Sequence, residues 1–154
     1  VNSVATRAAI TIASVYGFFL LFAQFAFVEL IRGSGHAVFT EKFLLASMAV
    51  AGVVAGFVAA WRGVCPAMIR AALIGAVVVA VVASFGGSLQ VLLSVSLLTG
   101  AALGAATVSL AALLPGWCGM GTVAVATGMG YALCNLPWVF SQSPQHQAWI
   151  AAGI

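Results

Sequence analysis

Glu29 is the one carboxylate of this chain that falls inside an apolar stretch, which makes it the first candidate for chemistry. An ionisable group within a membrane helix costs roughly 2.5–3.5 kcal/mol on insertion scales and is a functional candidate for that reason. Two uses fit its position. It can exchange protons as a coupling group, or it can pair near an interface with Arg32, one turn further along the same helix face. Gln24 lies deeper in the same stretch and offers a neutral amide to a neighbouring helix or to a substrate. Asn135 stands two residues before Pro137. A proline there frees a backbone carbonyl one turn back, giving either a cavity-lining break or a plain kink. Tyr16 and Gln90 are further polar candidates.

Other chemistries lack their parts. His36 and His146 sit in expected loops with no neighbouring acid or cysteine, so no zinc-type spacing and no metal site is expected. The chain has no Asp, which rules out a Ser-His-Asp triad, and no G-x-x-x-x-G-K loop for a nucleotide phosphate. Cys65, Cys118 and Cys134 show no C-x-x-C pairing and read as small packing residues. The expectation is a protein that is not an enzyme and carries no cofactor.

The elements that position these residues follow from charge and hydropathy. From Ala71 to Ile154 there is no Asp, Glu, Lys or Arg; the whole chain is 5% charged and 64% hydrophobic, with a mean hydropathy of +1.24. A soluble domain needs a charged surface, and roughly a quarter of its residues are ordinarily charged. Lipid is therefore the solvent. The apolar blocks are long and continuous rather than alternating, which fits helices about 20 residues long and argues against a β-barrel. The expected fold is an all-α, polytopic helical membrane bundle forming a single domain over residues 1–154. Its spans fall at about 8–31, 43–61, 67–85, 89–114 and 121–140, with the start of a sixth at 148. Arg32-Gly-Ser-Gly-His36, Arg62-Gly63 up to Pro66, Gly86-Gly87-Ser88 and Pro115-Gly116-Trp117 separate the first five, and Ser141 to Gln147 reads as a polar loop. Trp61, Trp117, Trp138 and Trp149 fall near span ends, as an interfacial aromatic belt requires.

The five basic residues are scattered singly, so the net charge of +3 marks topology rather than nucleic-acid binding. An inside amino terminus places Arg7, Arg62 and Arg70 in the cytoplasm against Arg32 and Lys42 outside. The expected site is a bacterial inner membrane. For helix joining, Gly52-Val-Val-Ala-Gly56 and Gly100-Ala-Ala-Leu-Gly104 each place two glycines on one helix face, where backbones can approach closely.

Two stretches resemble a known family. Gly56-Phe-Val-Ala-Ala-Trp-Arg-Gly63, between the second and third spans, is similar to the loop motif of major facilitator superfamily transporters, with Gly56, Arg62 and Gly63 at matching positions. Ala60 stands where the family usually has an acid. Leu97-Leu-Thr-Gly-Ala-Ala-Leu-Gly-Ala-Ala106 resembles the family's glycine-rich fourth helix, with Ser96 where an arginine is usual. The order of long and short connections resembles the amino-terminal half of that fold. This resemblance implies two six-helix halves of 3+3 inverted repeats, with substrate near the midplane. It also implies secondary active transport of a small solute by alternating access, coupled to an ion and most simply to protons. Val1 in place of Met, and an apolar run that reaches Ile154, lead us to expect a piece of a longer chain whose second half completes the bundle. The competing expectation is a non-transporting integral membrane subunit or scaffold of a larger complex, which the scarcity of polar residues in the spans would suit.

Overall fold

The computed structural model describes residues 3–35, 37–85 and 88–154, and these form helices and no strands. His36 and the Gly86-Gly87 part of the expected hairpin lie outside the described residues. Among the described residues four helices are long and apolar enough to cross a bilayer, and the chain is an integral membrane protein of helical class. Large apolar side chains face outward along the helices, Val53 at 74% and Phe57 at 67% exposure among them. Only lipid or another membrane helix covers such a surface without penalty.

The first rod is built of α1 (Ser3–Phe18), a π-helical stretch (Phe19–Ala26) and α2 (Phe27–Gly33). They run on without a break, since both junction residues, Phe18 and Ala26, keep right-handed helical dihedrals. In the π stretch the backbone closes i→i+5, and the Phe27 N–H donates to the Phe22 carbonyl. That wider turn stacks Phe22 on Phe27 at 5.8 Å, while Phe18 stacks on Phe22 at 5.1 Å. Phe22 and Phe27 are both fully buried at the centre of the larger apolar core.

α3 (Val38–Arg62) begins five residues ahead of the expected span, taking Glu41 into its first turn, where the helix dipole favours an acid. It stops at Gly63, whose φ of +83° is open to glycine and strained for other residues. α4 (Pro66–Ser84) starts on its proline, as the missing N–H allows. α5 (Leu89–Trp117) runs three residues past the expected end at 114. Pro115 falls in the last turn, and the Cys118 N–H still reaches the Leu114 carbonyl.

The expected fifth span is divided. α6 (Met120–Cys134) is 15 residues long, Leu136 is extended (φ −66°, ψ 130°), and α7 (Pro137–Phe140) begins on the proline. The residue before a proline is pushed out of the helical region, so Pro137 opens a new helix instead of kinking the old one. α8 (Pro144–Ala152) starts four residues ahead of the expected position, capped by the Ser143 side chain, and it buries Gln147, Ala148 and Ala151.

Packing follows a simple scheme. α3 lies along α5, α1 along α6, α4 along α5, and α8 against α4 and the first rod. Taken as six successive rods (first rod, α3, α4, α5, α6, α8), these main contacts map onto one another when the first three rods exchange with the last three. The α3–α5 pair becomes the α1–α6 pair, the α4–α5 contact becomes that of α8 with the first rod, and α4–α8 returns to itself.

Candidate functional site

The first rod carries three of the candidate residues. Tyr16, Phe19, Gln24 and Glu29 are all exposed. The π stretch takes more residues per turn than an α-helix, which brings Gln24 round to the side of Phe19; Glu29 lies beyond it in the regular turns of α2. In a regular α-helix five residues would turn Gln24 well away from Phe19.

Their surroundings differ. Tyr16 and Phe19 line a cavity of about 340 Å³ between α1, α5 and α6, walled further by Leu103, Thr107, Leu114 and Val123. This lies in the size range of small-molecule pockets, and its walls are mainly apolar. Gln24 stands one to two turns beyond. Glu29 does not enter that cavity: its carboxylate accepts a hydrogen bond from Arg32 at 2.9 Å. Arg32 also reaches Glu41 at 3.3 Å, tying the end of α2 to the first turn of α3. Asn135 caps α6, its backbone N–H and its side-chain amide both donating to the Tyr131 carbonyl, the latter at 2.8 Å. The Tyr131 carbonyl at the end of α6 thus finds its donors within the cap itself. Gln90 is exposed in the first turn of α5. Tyr16, Gln24 and Glu29 are exposed along the same rod, whereas Asn135 belongs to a different element.

Small residues join the helices in pairs. The two G-x-x-x-G motifs lie against each other: a Cβ on Gly100 would stand 2.0 Å from the Met48 carbonyl oxygen, and one on Gly104 would stand 2.0 Å from that of Gly52. Gly52 and Gly56 meet Gly100 and Gly104 in turn, so α3 and α5 run parallel. Sequence reasoning missed the counterpart pair. A Cβ on Gly130 would stand 2.8 Å from the Ala13 carbonyl oxygen, and Cys134 donates its thiol proton to the Gly17 carbonyl at 3.1 Å. Ala13 with Gly17, and Gly130 with Cys134, are small residues at four-residue spacing, a signal that was present but lacked two glycines. Also missed were the hydroxyls at the α3–α5 seam. Ser96 and Ser47 both donate to the Leu44 carbonyl, and their oxygens lie 3.1 Å apart.

Compared with protein-family models, curated proteins and solved structures, the chain matches none. Any functional reading therefore rests on the geometry above.

Proposed function

We propose that this protein is half of a secondary transporter of the major facilitator type, moving a small solute by alternating access. The exchange of helix contacts between the first and last three rods carries the reading. Both members of its key pair, α3–α5 and α1–α6, are parallel and joined through small residues. Inverted repeats of this kind are how many transporters build two interconvertible faces around one site. The cavity beside Tyr16 lies between the first and fourth rods, which are each other's counterparts under the exchange. In this reading Tyr16 and Gln24 face the solute path, Glu29 is the coupling carboxylate for protons, and the amino terminus is cytoplasmic in a bacterial inner membrane. A second membrane half, supplied by the same chain, closes the path.

A non-transporting membrane subunit is the second reading, favoured by the mainly apolar walls of that cavity. Thiol accessibility separates the two. Tyr16→Cys and Gln24→Cys, made in the full chain with Cys65 and Cys118 replaced by Ser, are exposed to a membrane-impermeant maleimide in oriented vesicles. A water-filled path makes both react, while Val53→Cys on α3 stays unlabelled as a lipid-facing control. If both remain as unreactive as Val53→Cys, the transport reading fails.

A further inference from the structure

We propose that a cavity at the Arg7 end of the bundle binds the phosphate headgroup of an anionic glycerophospholipid. The cavity holds about 420 Å³ and is lined by Arg7, Ile10 and Thr11 of α1, by Arg70 and Leu73 of α4, and by Trp117 at the end of α5. The starts of α1 and α4 and the end of α5 meet at this end, so two guanidinium groups from different helices share one opening beside a tryptophan.

Charge balance points to the occupant. The chain contains two carboxylates, Glu29 and Glu41, and both engage Arg32 at the other end of the first rod. Arg7 and Glu29 are separated by 22 residues, roughly 30 Å of helix. Neither of these carboxylates pairs with Arg7 or Arg70, so the cavity is lined by two guanidinium groups and no acidic side chain. Guanidinium groups match phosphate oxygens through paired N–H donors, and basic pockets between membrane helices take up phospholipid headgroups. Ile10 and Leu73 give acyl chains an apolar wall leading out to the bilayer, and Trp117 sits at the depth where such rings lie against headgroups. A soluble phosphate compound would have no use for those walls.

The test uses the full-length protein reconstituted in phosphatidylcholine vesicles containing a minor share of phosphatidylglycerol, then extracted into mild detergent and weighed intact by native mass spectrometry. Wild-type protein is expected to retain phosphatidylglycerol over phosphatidylcholine. Arg7→Gln and Arg70→Gln should each weaken that retention about fivefold, and the pair about twentyfold or more. Lys42→Gln, at the other end, should leave it unchanged. Where the double variant does not fold, Leu73→Trp fills the cavity from its apolar side with both arginines intact, and it too should lower retention. The proposal is overturned by equal retention of the two lipids. It is also overturned by retention that survives the double variant or Leu73→Trp, or by an equal loss in Lys42→Gln. Displacement of the lipid by millimolar inorganic phosphate or glycerol phosphate would assign the cavity to a soluble anion and overturn the lipid assignment.

Discussion

A carboxylate gripped by a guanidinium can serve structure, coupling, or both, and Glu29 offers a way to separate them. It and Arg32 are each about half exposed, so solvent screening leaves the pair little weight in stability. Glu29→Gln should therefore barely move thermal unfolding in detergent. If Glu29 couples protons, the same variant should slow gradient-driven uptake about tenfold or more, the effect of roughly 1.4 kcal/mol on a rate. It should also flatten the pH dependence of uptake. Unchanged uptake with an unchanged pH profile removes Glu29 from the mechanism. Thr99 gives the opposite kind of test. It is fully buried, and its hydroxyl has no hydrogen-bond partner among the described residues. Thr99→Val keeps the shape and removes the unpaired group, so it should raise stability by about 1 kcal/mol. Ser96→Ala, which deletes a bond across the α3–α5 seam, should lower it by about 0.6 kcal/mol. Both are read from unfolding midpoints in one detergent.

Between helices, little hydrophobic force acts in lipid, and the distance of backbone approach decides what holds. Gly104 sits where any side chain would run into the Gly52 backbone, while nothing lies within 4 Å of a Cβ added at Gly128. Gly104→Ala should thus cost about 3 kcal/mol, as overpacking against backbone does. Gly128→Ala, within α6, should be neutral or stabilising by up to about 1 kcal/mol. If the two variants unfold at the same temperature, the α3–α5 contact is not what joins these helices. The π stretch matters at this scale too. It lets Phe22 stack on Phe27 inside the core and, by the same turn, aligns Phe19 with Gln24 on the outside.

For the molecule as a whole, the distribution of charge between its two ends decides orientation. Arg7, Arg62 and Arg70 gather where α1 and α4 begin and α3 ends; Arg32 and Lys42 mark the opposite end. The turns that carry Cys65 and Cys118 belong to the first of these ends, and Cys65 is exposed. With that end in the cytoplasm, an impermeant maleimide should label Cys65 in inverted vesicles and leave it untouched in intact cells. Labelling in intact cells would reverse the orientation. The exchange of contacts between the two sets of three rods also belongs to this scale, since it concerns pairs of helices far apart in the chain.

The amino acids by themselves determined the solvent, the helical class and several helix ends. An α-helix satisfies its own backbone hydrogen bonds, so apolar length, Pro66 and Gly63 suffice to place it. The same local logic brought Glu29 to Arg32, three residues away. Pro137 shows the limit of that logic: the sequence allowed a kink or a break, and the extended Leu136 with the Asn135 cap made it a break. Packing across the bundle settles that Gly100 and Gly104 seat against Met48 and Gly52, that Gly130 meets Ala13, and that Arg7 and Arg70 open onto one cavity. These contacts join residues tens of positions apart. Which helix face meets which is set by close packing over the whole bundle, and no short stretch of sequence carries that information.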